Sequence, residues 1–185
     1  MEDYPLISVA VPLIGVIIGG VLTVVGQQFA AWRARRNLRR DLGAALAGEI
    51  EAYLEITRRR GYINQGRTAG ENLRTGNPVV LRGWVTTAEA TTEPFRIYRA
   101  SLAQLGILGP VFGKMARFYG LAEAVRATAI RAEQGYYDDD PPAAVADLID
   151  QEIAVWEEVE QLGAEIVATL RSRPRFAFWR SPLAG

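Results

Sequence analysis

The sequence contains no cysteine and no histidine. The first absence excludes disulfide bonds and thiolate chemistry, and the second removes the commonest general base and the commonest nitrogen ligand of metals. Lys114 is the only lysine, so arginine carries almost all of the positive charge. The 21 basic residues are balanced by 21 acidic ones. This balance argues against nucleic acid as a partner, because binding to phosphates depends on excess positive charge.

The usual motifs of catalysis and nucleotide binding are also missing. There is no Walker loop, dinucleotide-binding glycine fingerprint or nucleophile elbow. The acidic run at residues 138–140 lacks the alternate spacing of a calcium-binding loop and is explained as an acidic turn before the last helix. Glu49, Glu51 and Glu152 could supply a carboxylate pair, but nothing in their spacing singles them out. We therefore expect no enzymatic activity, cofactor or metal; an enzyme that uses carboxylates with a divalent cation is the least favoured alternative.

One long stretch, residues 6–26, has no charged side chain. As an α-helix it would be about 31 Å long, close to the thickness of the hydrocarbon core of a bilayer. A cleaved signal peptide would begin with a positive region and end in small residues, whereas this stretch follows Glu2 and Asp3 and leads into arginines. We predict an uncleaved transmembrane anchor over residues 6–31, preceded by a short extracytoplasmic segment at residues 1–5.

The charges beside the anchor predict its orientation. No lysine or arginine precedes it, whereas five arginines follow it closely. The positive-inside rule then places the rest of the chain in the cytoplasm, with the anchor in a bacterial inner membrane. The residues expected to contact lipid headgroups are Trp32, Arg33, Arg35, Arg36, Arg39 and Arg40.

The anchor also carries a stripe of small residues. At about 100° per residue, five of them fall within roughly 60° of arc on the helix. Small side chains let helix backbones approach closely in lipid, although glycine is common in membrane helices in general. The stripe predicts self-association into a homo-oligomer through Ser8, Gly15, Gly19, Gly26 and Ala30.

Residues 32–173 have the pattern of an all-α cytoplasmic domain, an antiparallel helical bundle with one irregular loop at about residues 75–93. Apolar residues at helical spacing extend the anchor helix to about Arg60, and glycines weaken its continuation through residues 61–74. A last helix is expected after Asp140, and its acidic outer face could pair with the arginine-rich first helix. Solvated surface is the simpler explanation of those acidic residues.

Two prolines predict the helices between the loop and the last helix. Pro94 would lie in the first turn of one helix, with Thr92 as its cap. Pro110 would open the next helix after a tight corner. In the loop, the apolar residues expected to cover the helical core are Val79, Val80, Leu81, Trp84 and Val85, with a peptide-binding lip as the alternative.

The tail, residues 174–185, interleaves basic and aromatic residues. This composition suits the headgroup region of a membrane. It equally allows the aromatic side chains to dock on their own domain, while stacking on single-stranded nucleic acid is much less favoured. The tail residues expected to contact the membrane are Arg175, Phe176, Phe178, Trp179 and Arg180.

Residues 95–127, "FRIYRASLAQLGILGPVFGKMARFYGLAEAVRA", resemble a segment of a loose group of bacterial, partly prophage-like proteins with an "LGxLxP…RFY" core. The resemblance implies a short N-terminal membrane span followed by a helical cytoplasmic region, and it implies no activity. In this segment Phe118 and Tyr119 are expected to be packing residues and Arg117 a surface residue.

Together these features predict a membrane-anchored helical scaffold or interaction protein that self-associates and binds a protein partner not identified by the sequence. The alternative is a membrane-active, prophage-type effector that perturbs or permeabilises the bilayer.

Overall fold

All regular structure that the computed structural model describes is helical. The description covers residues 5–83 and 93–172, with side chains described from Gly20 onward, and no strand occurs in these ranges. The helices are α1 Pro5–Arg60, α2 Tyr62–Arg74, α3 Arg96–Ala100, a 3-10 helix Leu102–Leu108, α4 Val111–Glu133 and α5 Pro142–Arg171. The prediction of an all-α protein is confirmed.

The chain divides into two compact units, Met1–Asp41 and Leu42–Gly185. In the first unit every side chain from Gly20 to Asp41 is exposed. Among the described residues, no helix is both long enough and apolar enough to cross a membrane.

A single glycine separates α1 from α2. Gly61 has a φ of 66°, in the left-handed region that glycine enters without a steric penalty. Its N–H still bonds back to the carbonyls of Thr57 and Arg58, and α2 starts at the next residue. The predicted end of the first helix at Arg60 is therefore confirmed, and the helical continuation through residues 62–74 forms after this turn.

In the second unit, α5 lies antiparallel to α1, α2 and α4. Ion pairs between the helices demonstrate this arrangement. The residue numbers of the partners on α5 decrease as those on the other helices increase. The pairs with α1 and α2 are Glu51–Arg171, Arg58–Glu160, Arg67–Glu157 and Arg74–Asp150, and those with α4 are Lys114–Glu165 and Arg117–Glu158. The expected pairing of the first and last helices is present, but the partners are partly or fully exposed and such pairs contribute little stability.

The core lies between the second part of α1, the 3-10 helix, α4 and α5. Its buried apolar side chains are Leu42, Leu46, Ile50, Leu54, Phe95, Leu105, Leu108, Val111, Met115, Phe118, Tyr119, Ala122, Val159 and Ile166. They recur at helical spacing on each element, as the sequence predicts. Phe118 and Tyr119 are packing residues, as expected, and Arg117 is at the surface.

The helices of the core approach each other closely at Gly163. A Cβ atom there would lie 2.8 Å from Leu54 Cδ1 and 2.9 Å from Phe118 Cε2. Distances this short would force the neighbours to move, so α5 needs glycine at this position to pack against α1 and α4.

The helix predicted to start near Pro94 is much shorter than expected. Phe95 has a φ of 58°, a left-handed conformation that a bulky residue rarely adopts, and Glu93 and Pro94 before it are not helical. Helix α3 begins at Arg96 and gives way to the 3-10 helix after Ser101. Burial of the Phe95 ring among Tyr53, Phe118 and Tyr119 explains why the backbone accepts this conformation.

Candidate functional site

The residues predicted to mediate self-association are only partly described. Ser8, Gly15 and Gly19 lie among residues 5–19, outside the described side chains. Gly26 and Ala30 are exposed, and a Cβ atom added at Gly26 would meet nothing within 4 Å. The surface at these two positions is therefore open to a partner.

The predicted headgroup-contacting residues are all exposed, as are large apolar side chains just before them. Val21 is 57% exposed, Leu22 66% and Phe29 60%. Arg36 places its guanidinium carbon 5.5 Å from the centre of the Trp32 ring. The first unit thus presents apolar side chains followed by Trp32, Arg33, Arg35, Arg36, Arg39 and Arg40.

The irregular loop is described only in part, and the tail lies wholly outside the described residues. Val79 and Leu81 pack against a small cluster formed by Ala69, Val145 and Ile149, so these two loop residues do cover the helices. The prediction is wrong for Val80, which is 76% exposed. Residues 84–92 lie outside the described residues. The predicted membrane-contacting residues Arg175, Phe176, Phe178, Trp179 and Arg180 also lie outside them.

A cavity of about 340 Å³ opens between α1, α2, α4 and α5 in the second unit. Its volume lies within the range of small-molecule sites, which are concave and mostly apolar. Its lining is mainly aliphatic and aromatic, with Val125 and Ala129 from α4, Ile149 and Ile153 from α5, and Trp156 beside them. We call this space the α5 cavity.

One carboxyl group, that of Glu152, belongs to the wall of the α5 cavity. Its Oε1 accepts a hydrogen bond of 2.9 Å from the Thr128 hydroxyl. Its Oε2 is buried and has no hydrogen-bond partner among the described residues. Removal from water raises the pKa of Glu152 above the ordinary carboxyl value, and the Thr128 hydrogen bond opposes this only in part.

The three carboxylates considered from the sequence do not come together. Glu51 pairs with Arg171, and Glu152 bonds to Thr128. Glu49 accepts hydrogen bonds from the backbone N–H groups of Ile97 and Tyr98, at 2.7 and 3.1 Å. It also accepts one of 3.0 Å from the Tyr119 hydroxyl. Glu49 therefore fixes the start of α3 to the core.

The surroundings of Tyr119, a member of this hydrogen-bond network, change its pKa. Burial, followed by the neighbouring Glu49 charge, raises the pKa of the Tyr119 phenol above its ordinary value, so it stays a donor. Its ring stacks on Tyr98, with centroids 3.8 Å apart.

The acidic turn after α4 is held by an ion pair. Asp138 pairs with Arg82 beside Gly135, whose φ is 77°. Within residues 5–83 and 93–172, no group of three or more acidic side chains is arranged to hold a metal ion.

No direct sequence signal indicates the α5 cavity, since its lining residues have the pattern of ordinary core positions. The one residue that could have indicated the cavity is Glu152, an acidic residue directly before Ile153 of the apolar stripe of α5. No protein-family model, curated protein or solved structure matches the chain. The resemblance of residues 95–127 to a bacterial group stays a prediction.

Proposed function

We propose that the protein is a single-pass membrane protein of the bacterial inner membrane, whose helical domain acts in the cytoplasm as an interaction module. Residues 6–31 form the anchor, with residues 1–5 outside. The anchor helices of several copies associate through the stripe of small residues described above, and the helical domain binds a protein partner.

The observation that carries this proposal is the exposure of the apolar side chains in the first unit. Val21, Leu22, Val24, Val25 and Phe29 are each more than half exposed. If these side chains stayed in water, the protein would lose the favourable free energy of burying them, which is about 25 cal/mol for each Å² of apolar surface. A bilayer supplies that burial, and the exposed arginines that follow suit its headgroups.

Fractionation of cells that express the full chain tests the anchor. We expect it in the membrane fraction and resistant to extraction by high salt and alkaline carbonate. Replacing both Leu22 and Val25 with aspartate should release much of the protein, because charge in the hydrocarbon core is costly. The same substitution at Leu38, beyond the anchor, should have little effect. A wild-type chain that is freely soluble without detergent or lipid would refute the anchor.

Crosslinking in native membranes tests self-association. We expect crosslinked oligomers for the wild-type chain and far fewer for the Gly15→Leu, Gly19→Leu double variant, because leucine keeps the backbones apart. Gly20→Leu, about 100° away from Gly19 on the helix, is the matched control and should leave the oligomers intact. Equal crosslinking of all three chains would contradict this part of the proposal.

A further inference from the structure

We propose that the α5 cavity binds a small, flat, apolar aromatic molecule of about two fused rings. The ligand packs between the aliphatic side chains of α4 and α5 and an aromatic group formed by Tyr53, Tyr62 and Trp156. The site is independent of the membrane anchor, since every residue that forms it lies in the second unit.

The aliphatic walls of the cavity favour an apolar ligand. Val125 and Ala129 contribute from α4, and Ile149 and Ile153 contribute from α5. Such walls offer water few hydrogen-bond partners. An apolar molecule therefore gains affinity when it displaces water from this space, because that water is poorly held.

The threonines and the carboxyl group of the wall already have partners within the protein. The Thr57 hydroxyl donates to the Leu54 carbonyl at 2.9 Å, and the Thr128 hydroxyl donates to Glu152 Oε1 at 2.9 Å. The other oxygen of Glu152 is buried and presents no surface to a ligand. A ligand hydroxyl or amide would therefore lose its hydrogen bonds to water and find no replacement at these side chains.

The two arginines of the wall are engaged as well. Arg60 donates a hydrogen bond of 2.6 Å to the Tyr62 hydroxyl, and its guanidinium carbon lies 5.9 Å from the centre of the Tyr62 ring. Arg126 also has an interaction partner. A charged ligand would thus find no free opposite charge at the wall, whereas its removal from water would cost free energy.

Three aromatic residues at the wall favour an aromatic ligand over an aliphatic one. The Trp156 ring is parallel to the Tyr53 ring within 5°, with centroids 6.1 Å apart, and its centroid lies 5.6 Å from that of Tyr62. All three residues line the cavity. An aromatic ligand packed against them gains a ring contact beyond the burial of its area, which makes binding about three- to tenfold tighter than for a saturated molecule of the same size.

The size of the ligand follows from the volume of the cavity. An engineered apolar cavity of about 150 Å³ binds benzene. The α5 cavity, at about 340 Å³, is roughly twice as large and has room for a molecule of two fused rings.

Methyl NMR of the full chain in detergent micelles tests the proposal, with carbon-13 in the isoleucine methyl groups. Ile149 and Ile153 line the cavity, whereas Ile166 belongs to the main core and serves as the reference. Naphthalene is titrated, and decalin, its saturated counterpart, is titrated in parallel. Each probe partitions equally into the micelles of every variant, so the ratio of the two half-saturation concentrations can be compared between variants.

We expect naphthalene to shift the signals of Ile149 and Ile153 until they saturate, and to leave Ile166 in place. Ala129→Phe should fill the cavity and abolish the shifts caused by both probes. Ala127→Phe, on the exposed side of the same helix, is its matched control and should bind as the wild-type chain does.

A second pair of variants tests the aromatic preference. Trp156→Leu keeps the wall apolar but removes a ring, so both probes should still bind while the preference for naphthalene over decalin falls about three- to tenfold. Phe112→Leu removes a ring outside the cavity and should leave the preference unchanged. This comparison remains decisive if Ala129→Phe does not fold.

Three results would overturn the proposal. The first is a shift that does not saturate, or that Ala129→Phe leaves unchanged while circular dichroism shows the fold intact. The second is a preference for naphthalene that Trp156→Leu does not reduce. The third is binding that appears only after residues 84–92 are replaced by a glycine–serine linker, because the chain itself would then be the occupant.

Discussion

Glu152 places a half-buried carboxyl group in the wall of the α5 cavity. Its carboxyl group is held in apolar surroundings by one hydrogen bond from Thr128, and its second oxygen is unpaired among the described residues. Such a group costs free energy in the folded state whenever it is charged. Positions of this kind are typical of binding sites, where stability is given up for recognition.

The pH dependence of stability should reveal this cost. Burial raises the pKa of Glu152, so between the ordinary carboxyl pKa and the raised one the folded chain holds a proton that the unfolded chain has lost. The free energy of unfolding therefore falls as pH rises through that window. Glu152→Gln does not titrate and should be more stable than wild type at neutral pH, by less than about 1 kcal/mol because the group is only half-buried and solvent screens its charge.

Thermal unfolding of both chains across this range checks the prediction. The difference in Tm should shrink towards zero at about pH 4, below the ordinary carboxyl pKa. Glu71→Gln, at an exposed position, is the control and should follow the wild-type profile. A difference in Tm between Glu152→Gln and wild type that is the same at both ends of the pH range would contradict the prediction.

Gly163 gives a second prediction for a single residue. A methyl group there would lie 2.8 Å from Leu54 and 2.9 Å from Phe118, so Gly163→Ala should lose about 1–3 kcal/mol through overpacking. Gly120→Ala on α4 meets nothing within 4 Å and should gain up to about 1 kcal/mol from helix propensity. Urea denaturation of the two variants measures both effects. A Gly163→Ala variant as stable as the wild-type chain would disprove the tight contact.

Among the elements, α4 and α5 could be predicted well from the sequence because their own residues determine them. Apolar side chains recur at helical spacing over many turns, and Pro110 and Pro141 stand immediately before the two helices. Helix α3 could not be predicted in the same way. Its start depends on Glu49, which is distant in sequence, and on the burial of Phe95 in a strained conformation. The residues next to α3 in the sequence do not reveal such contacts.

The dependence of α3 on Glu49 can be tested directly. Glu49→Ala removes the acceptor of two backbone N–H groups and of the Tyr119 hydroxyl, and should cost about 1–3 kcal/mol. The amides of Ile97 and Tyr98 should then exchange hydrogen much faster. Glu55→Ala, which breaks only the exposed pair with Arg59, should cost about 0.5 kcal/mol or less. Unchanged protection at Ile97 would contradict the proposed role of Glu49.

At the scale of the whole chain, the side chains before Leu42 differ in burial from those that follow it. Every member of the main core cluster lies at or after Leu42, whereas the described side chains before it are exposed. A fragment of residues 42–172 should therefore stay soluble without detergent and unfold at the same urea midpoint as the full chain. Aggregation of this fragment, or a clearly lower midpoint, would show that the domain needs the preceding residues.

The candidate sites differ in how far the sequence could predict them. The apolar stretch and its arginines are continuous in the chain, so composition alone suffices to predict a membrane contact, which stays a prediction. The α5 cavity is assembled from four helices that meet only after folding, and its lining residues have the same helical spacing as filled core positions. Spacing predicts which face of a helix is buried, but it cannot predict whether neighbouring faces fill the space between them.

The antiparallel contacts of α5 also bear on how the protein is made. Because α5 is synthesised after α1, α2 and α4, the inner faces of those three helices remain uncovered until the ribosome has released residues 142–171. During that interval Leu46, Phe118 and Val125 are accessible to chaperones and to neighbouring nascent chains. Interruption of translation before Pro142 would leave a product that cannot close its core, and such a product is a natural substrate for proteolytic quality control.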